Sequence, residues 1–504
     1  MDVLQNLLYG FSVALTPTNL LYCFIGVLAG TLIGVLPGLG PVTGVAILIP
    51  ITFGKDPVAS MIMMAGIYYG AMYGGSTTSI LINVPGESAS VMTCLDGYQM
   101  ARKGRAGAAL GMSAIGSFIS GTLAVMGLML LAGPLVQVAL SFGPPEYFAL
   151  MVLGLTTLTR LAGKSMIKGL MMGVLGLLLG TVGLDPMSGV SRFTYGKPEL
   201  LDGLGFVAVA MGLFALAEVL ANAEQSLKRD VYETKLTGLL PTIQDWIAVK
   251  WTLLRATVIG FVIGALPGAG ATVASFMAYA AEKRASKHPE RFGTGIIEGV
   301  AAPEAANNAA TGGALVPLLT LGIPSSATTA VMMGALMMFG LRPGPLLYQE
   351  HPEFFWGVIA SMYVGNLMLL VLNLPLIGIW VRMLKIPYPI LLPLILLFTL
   401  LGAYAIGNVT TDIWIMFAFG VLGYAMRKFD YPAAPVVLAL VLGPLMETSL
   451  RRSLMLSQGS YSIFLMRPIA AGLLLIAALL VLSPVIARLL KRQAPVPMPA
   501  VEEV

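Results

Sequence analysis

The chain has 504 residues, of which 57% are hydrophobic and 11% are charged, and its mean hydropathy is +0.87. A soluble globular protein carries about 25% charged residues, so the composition excludes a soluble protein and predicts an all-α polytopic membrane protein. The net charge of +5 comes from lysines and arginines in short loops. That pattern is typical of cytoplasmic loops, and it predicts no nucleic-acid partner.

The apolar stretches accommodate about 10 to 14 membrane segments, some broken or re-entrant, because one spanning helix needs about 20 apolar residues. The longest polar stretch is too short to form a core, and we interpret it as a cytoplasmic linker between two membrane halves. The predicted division is a first membrane half at 1–221 with a repeat unit at about 30–110, the linker at 222–252, a second repeat unit at 253–350, C-terminal membrane segments at 351–492 and a tail at 493–504.

A Pro-Gly pair interrupts the apolar sequence early in each repeat unit. The segment GVLPGLGPVTG at 34–44 returns as GALPGAGATVA at 264–274. Proline removes a backbone donor and clashes with the preceding turn, and glycine frees the backbone, so each pair should break its helix. Irregular backbone at membrane depth survives only where protein or a water-filled cavity satisfies its polar groups. The two copies therefore predict a buried polar site built from both halves.

A second break follows each of these segments. The sequence YGGSTTSILINVPGESAS aligns with TGGALVPLLTLGIPSSATT, with Gly74-Gly75 opposite Gly312-Gly313 at an offset of 238 residues. The conserved order favours two related repeats, the build of many secondary transporters, over chance similarity. The first unit starts from a charge-poor N-terminus and the second from a basic linker, so our hypothesis is an inverted arrangement, with a parallel one as the alternative. The predicted helix-breaking residues are Pro37, Gly38, Gly40, Pro85, Pro267, Gly268, Gly270 and Pro324.

Side-chain oxygens are dense around the second pair of breaks. Hard cations such as sodium suit oxygen ligands, and broken helices offer carbonyls to a cation and bare N–H groups to an anion. Ser88 and either Ser325 or Ser326 stand where a helix N-cap is expected. Glu304, within a membrane segment, is left open between a functional carboxylate and an interfacial one. The predicted substrate and sodium ligands are Ser76, Thr77, Thr78, Ser79, Asn83, Gly86, Ser88, Asn307, Asn308, Thr311, Ser325, Ser326 and Thr328.

The motifs of both halves resemble a known family. GVLPGLGP and YGGSTTSILINVPGE in the first half, with GVAAPEAANNAATGG and LGIPSSATTAVMMGAL in the second, are similar to signatures of the large membrane subunit of tripartite tricarboxylate transporters, the TctA family. The resemblance implies a bacterial inner-membrane secondary transporter that works with a small membrane subunit and a periplasmic solute-binding protein. It also implies a di- or tricarboxylate substrate such as citrate, with uptake driven by an ion gradient, usually of sodium.

Two other functions remain as alternatives to symport by alternating access. A channel would need a continuous polar pore lining, whereas the polar residues concentrate at the repeated breaks. A membrane-embedded enzyme would need an Asp, His or metal constellation at membrane depth, and between 31 and 101 the charged residues are Lys55, Asp56, Glu87 and Asp96. We therefore predict no enzymatic activity, no covalent cofactor and sodium as the coupling ion. The C-terminal segments hold no third copy and are predicted to be scaffold or homodimer interface.

Overall fold

The protein is described from a computed structural model, which covers residues 3–36, 39–161, 165–224, 238–383 and 388–491. The predicted helix-breaking residues Pro37 and Gly38, much of the linker and the tail lie outside the described residues. The described chain is helical apart from loops, short 3-10 turns and one small antiparallel hairpin at 183–192. The prediction of an all-α membrane protein with broken helices is confirmed.

The helices fall into two runs on either side of the predicted linker. The first run is α1 Val3–Ala14, α2 Pro17–Val35, α3 Pro41–Thr52, α4 Pro57–Ile82, α5 Val91–Arg102, α6 Ala106–Leu140, α7 Pro144–Leu161, α8 Met166–Leu179, α9 Phe206–Ala210 and α10 Ala217–Glu224, with a π-helical segment Met211–Leu216 joining the last two. The second run is α11 Ile243–Ala265, α12 Gly270–Ala285, α13 Glu298–Leu321, α14 Ala327–Met338, α15 Pro345–Glu350, α16 Pro352–Asn373, α17 Ile377–Met383, α18 Tyr388–Gly407, α19 Thr410–Lys428, α20 Ala434–Leu456, α21 Ile463–Met466 and α22 Pro468–Lys491.

Helices with the length and apolar composition of membrane spans occur throughout the described chain. Within it, six helices are long and apolar enough to cross a membrane: α2, α6, the continuous segment Phe206–Glu224, α11, α16 and α20. Shorter apolar helices, among them α3, α8 and α14, accompany them. The chain is therefore a multi-helix membrane protein.

Two groups of four helices repeat the same order. The first helix of each group, α2 or α11, ends early, at Val35 and at Ala265, and a second helix follows it. The long helices α4 and α13 then each end on a left-handed residue, Asn83 with φ of 55° and Gly322 with φ of 70°. Such a residue stops an α-helix because its N–H turns back to the last carbonyls. The order of breaks is thus the same in both repeat units, while their inverted or parallel arrangement stays a prediction.

Glycines let the helices of each unit approach to backbone contact, as small residues do in membrane proteins. A Cβ at Gly34 would lie 2.2 Å from the carbonyl oxygen of Ala71, and a Cβ at Gly264 would lie 2.3 Å from that of Ala310. Gly30 approaches Ile67 in the same way. The α2–α4 and α11–α13 pairs are therefore packed alike.

The packing corrects the alignment between the two units by one residue. A Cβ at Gly74 would lie 2.2 Å from the carbonyl oxygen of Thr31, and a Cβ at Gly313 would lie 2.2 Å from that of Phe261. Gly74 thus corresponds to Gly313 rather than to Gly312, and the offset is 239 residues rather than 238. The earlier pairing was wrong because it matched both glycines of each doublet, whereas the packing shifts the two doublets by one residue relative to each other.

We expect Gly264→Ala to lower the free energy of unfolding by about 1–3 kcal/mol, because the new methyl group meets a backbone carbonyl that cannot move freely. The matched control is Gly472→Ala, where a Cβ would meet nothing within 4 Å and where replacing a helical glycine gains about 0.5–1 kcal/mol. Thermal unfolding of the purified variants in detergent measures both. Equal midpoints for the two variants would contradict the close approach of α11 and α13.

The core of the molecule is built around α4 and α13. All residues of α4 from Val58 to Ile82 are buried, and so are those of α13 from Gly299 to Thr320. Helices α2, α3, α5 and α16 contact α4, while α6, α11 and α12 contact α13. The polar residues of both repeat motifs are therefore enclosed by protein.

Candidate functional site

A buried carboxylate, Glu304, stands at the centre of the polar residues on α13. It is 0% exposed. Ser76 Oγ of α4 donates to its Oε2 at 2.5 Å and Ser113 Oγ of α6 does so at 3.3 Å, while Thr93 Oγ1 of α5 donates to Oε1. Asn307 Nδ2 lies 3.5 Å from Oε2. All of these partners are neutral, and within the described part of the chain no lysine or arginine pairs with this carboxylate.

The network continues along the same helix through two asparagines. Asn308 Nδ2 lies 2.6 Å from Asn307 Oδ1, 2.7 Å from Ser117 Oγ and 3.0 Å from the carbonyl oxygen of Glu304. Thr311 Oγ1 donates to the carbonyl oxygen of Asn308 at 2.7 Å. The amide hydrogens of Asn308 are therefore used within the protein, but its Oδ1 has no hydrogen-bond partner among the described residues.

Two small cavities flank this network. Each has a volume of about 10 Å³, roughly the space that one water-sized probe needs. The polar residues of cavity A are Tyr73, Ser76, Thr77, Ser113 and Asn373. Those of cavity B are Tyr69, Asn308, Thr311 and Asn366. Tyr73 connects the two, because its hydroxyl donates to Asn366 Oδ1 at 2.6 Å.

Buried oxygen atoms without a partner cluster in this part of the molecule. Among the described side chains they are Glu87 Oε1, Asn308 Oδ1 and Asn373 Oδ1. The two asparagine oxygens belong to residues that line cavities B and A, respectively. A buried acceptor left unpaired costs about 1–3 kcal/mol. Three such acceptors near the two repeated motifs therefore indicate a polar site that binds an ion, a water or a substrate.

The second breaks of the two units are closed by helix caps at equivalent positions. Glu87 caps the 3-10 turn Ser88–Ser90, with its Oε2 accepting from Ala89 N, and Ser326 caps α14, with its Oγ accepting from Thr329 N at 3.3 Å. The expectation of a cap at Ser325 or Ser326 is met by the second of them. The expectation for Ser88 was wrong, because the longer Glu87 side chain folds back to cap instead.

The two interrupted segments of the second unit meet in space. Gly268 N donates to the carbonyl oxygen of Ser325 at 2.7 Å, and a Cβ at Gly270 would lie 3.8 Å from that of Ser326. These contacts bring the N-terminal ends of α12 and α14 side by side. The exposed Ser88 of the first unit joins them through a 2.7 Å hydrogen bond between its Oγ and Thr272 Oγ1.

The predicted ligands therefore divide into three sets. A central set around Glu304 comprises Ser76, Thr77, Asn307, Asn308 and Thr311. A second set, at the breaks, comprises Ser88, Ser325, Ser326 and the buried Thr328 of the first turn of α14. The others have local structural contacts: Thr78 and Ser79 donate to the carbonyl oxygen of Gly75, Asn83 ends α4, and Gly86 lies against the carbonyl oxygen of Gly34.

The structure adds residues that the motifs did not indicate. Thr93, Ser113 and Asn373 reach the central set from α5, α6 and α16, although α16 had been assigned to a scaffold or dimer interface. A polar stripe was the available signal: Ser113, Ser117 and Ser120 recur at helical spacing in an otherwise apolar α6, and such spacing puts side chains on one face. Glu87 was noted only as a charge.

A larger cavity of about 540 Å³ lies away from this network, beside the hairpin at 183–192 and the end of α14. Two arginines and two carboxylates form a closed ring at its edge, in which Arg192 and Arg451 each pair with both Asp185 and Glu447. The Arg451 guanidinium holds the pKa of Asp185 well below its usual range. The two arginines and two carboxylates balance in charge, so the ring does not attract an anionic substrate to this cavity.

Comparison with known proteins agrees with the arrangement of the motifs. The sequence model of the family described as "Tripartite tricarboxylate transporter TctA family" matches residues 20–438. The chain belongs to the TctA family. This membership makes it a membrane subunit of a transporter, and it implies partners in a tripartite assembly.

Two relatives of this TctA protein come from Agrobacterium vitis. One, an uncharacterized 52.8 kDa protein from the TAR-I ttuC' 3' region, is 51% identical over 474 residues, or 94% of each chain. The other, an uncharacterized protein from the TAR-II ttuC' 3' region, is 48% identical over 228 residues, which are 45% of this chain and 94% of that protein. No solved structure matches the chain.

Proposed function

We propose that this TctA protein imports a small di- or tricarboxylate, such as citrate, by sodium symport with alternating access. The observation that carries the proposal is the position of Glu304. It is a fully buried carboxylate with neutral partners, enclosed between the two repeat units. A buried charge is costly without a compensating partner. A cation that enters and leaves with each cycle supplies that partner and couples its gradient to transport.

The adjoining ends of α12 and α14 support an anionic substrate. A helix N-terminus carries a partial positive charge and free N–H groups, which together attract carboxylates. Ser326 and Ser88 add hydroxyls at the same place. The carboxylate groups of the substrate are proposed to bind here, near the second breaks, while the cation binds deeper, near Glu304.

The two broken units are proposed to move against each other as nearly rigid bodies. The site lies where they meet, as expected for transporters built from inverted repeats. Glycine contacts hold each unit together internally, so the interface between units is the natural place for opening. Sodium is the proposed coupling ion because the network offers oxygen ligands, which suit hard cations.

The proposed assembly contains a small membrane subunit and a periplasmic solute-binding protein that delivers the carboxylate. It is placed in the bacterial inner membrane, with C-terminal helices as scaffold or homodimer interface. Membership in a tripartite family and the apolar helices support these assignments.

Uptake into proteoliposomes tests the function. The chain is reconstituted with the small subunit, the binding protein is added outside, and labelled carboxylates are compared under an inward sodium gradient, a proton gradient and no gradient. We expect accumulation above the external concentration only with the sodium gradient. Equilibration alone in every condition would identify a channel, and chemical conversion of the substrate would identify an enzyme.

A further inference from the structure

Cavity A is lined on its polar side by four hydroxyls and one side-chain amide. The hydroxyls of Ser76 and Ser113 donate to Glu304, so their oxygen lone pairs remain for other ligands. The Tyr73 hydroxyl likewise donates outward, to Asn366. A ligand bound beside the oxygen atoms of Tyr73, Ser76 and Ser113 must therefore offer them positive charge or hydrogen atoms.

The orphaned oxygen of Asn373 points to the same conclusion independently. Asn373 is 4% exposed, and its Nδ2 donates to the carbonyl oxygen of Leu369 at 3.0 Å. Within the part of the chain that the structure describes, its Oδ1 has no hydrogen-bond partner. Unsatisfied buried acceptors are rare in native proteins, and an ion or a water is the ordinary explanation. A single water could donate only two hydrogens to these acceptors, whereas one cation can take all of them as ligands.

Charge and size select a small monovalent cation. Glu304 supplies one negative charge through two of the lining hydroxyls, and the other lining oxygens are neutral. A divalent ion such as calcium commonly takes six to eight oxygen ligands, several of them carboxylates. The volume of about 10 Å³ holds an ion stripped of its water shell.

We propose that cavity A is the sodium site, with oxygens of its lining residues as ligands and the Glu304 carboxylate as the compensating charge. The assignment rests on the proposed sodium coupling and locates the bound sodium ion in the fold. It places the ion in the network around Glu304 rather than at the second breaks, where the carboxylate groups of the substrate are proposed to bind. Sodium bound between α4, α6 and α16 also joins the first repeat unit to a helix that follows the second.

Sodium binding is measured on the purified full-length protein without substrate, as the rise in thermal unfolding midpoint when sodium chloride replaces choline chloride at constant ionic strength. We expect Ser113→Ala and Asn373→Leu to weaken the apparent sodium affinity at least tenfold. Ser120→Ala is the matched control on α6, because Ser120 Oγ donates to its own helix at Ser117 O, and it should stay within twofold. Potassium chloride should act like choline chloride.

Unchanged sodium affinity in both cavity variants would overturn the assignment, as would a wild-type protein that sodium does not stabilise, since cavity A would then hold water only. A folding defect is separated from a binding defect by the midpoint in choline, because Asn373→Leu removes an unsatisfied acceptor and should not lower it. If transport is sodium-driven while both variants bind sodium normally, the proposed function stands and this site falls. If the variants lose sodium binding but wild-type uptake does not depend on sodium, the sodium site is supported and the proposed sodium coupling is contradicted.

Discussion

Replacing Glu304 by glutamine should lower sodium-driven uptake of the carboxylate by about 10- to 100-fold. The substitution keeps the shape of the side chain and removes its charge. Hydrogen bonds to a charged group are worth about 1.5–3 kcal/mol, and 1.4 kcal/mol is a factor of ten. The amide hydrogens of the new side chain would also face the hydroxyls of Ser76 and Ser113, which now donate to the carboxylate. Initial rates in proteoliposomes measure the loss.

The control for this variant is Glu298→Gln, which changes a carboxylate in the first turn of the same helix. We expect its uptake rate within twofold of the wild type. Gel filtration of both variants verifies that they remain folded. Sodium-dependent uptake by Glu304→Gln at the wild-type rate would remove the carboxylate from the coupling mechanism, whatever else the polar network does.

The second large effect is expected at Asp96, a fully buried carboxylate on α5. It accepts hydrogen bonds from the backbone N–H groups of Gly293 at 2.9 Å, Gly295 at 2.7 Å and Ile296 at 3.0 Å, and from the Tyr279 hydroxyl at 2.8 Å. These contacts fasten the first repeat unit to the loop that starts α13. Asp96→Asn should lower the free energy of unfolding by about 3 kcal/mol or more, since several charge-assisted bonds weaken together.

Tyr279→Phe is the graded control, because it removes one donor and leaves the backbone donors and the charge in place. Its expected cost is about 1 kcal/mol. Thermal unfolding in detergent compares the two variants with the wild type. Asp96→Asn should also weaken sodium binding, because Thr93, one turn earlier on α5, donates to Glu304. An Asp96→Asn protein with the same thermal unfolding midpoint as the wild type would contradict this role of Asp96.

The helical architecture and the breaks could be predicted because their causes are local. Proline and glycine act on the backbone where they stand, and the apolar composition allows only a membrane environment. A binding role for Asn307 and Asn308 could also be predicted, since two adjacent amides in an apolar helix have few structural uses. Both are in the central network.

The rest of the site depends on packing between distant segments. Ser113 and Asn373 lie on α6 and α16, far in sequence from Ser76, and the contacts of those helices with α4 bring them to cavity A. The sequence likewise left Glu304 undecided, because burial of its carboxylate follows from the helices around it. Glu87 rather than Ser88 is the cap, because its longer side chain reaches the backbone N–H of Ala89.

Simultaneous measurement of sodium and carboxylate entry tests the central claim most directly. Proteoliposomes containing the complete assembly are supplied with radiolabelled sodium and a differently labelled carboxylate, and both uptakes are followed in the wild type and in Ser113→Ala. We predict that carboxylate entry carries sodium with it at a fixed ratio in the wild type, and that both fluxes fall together in the variant. Carboxylate accumulation with no accompanying sodium, or undiminished fluxes in the variant, would contradict the account.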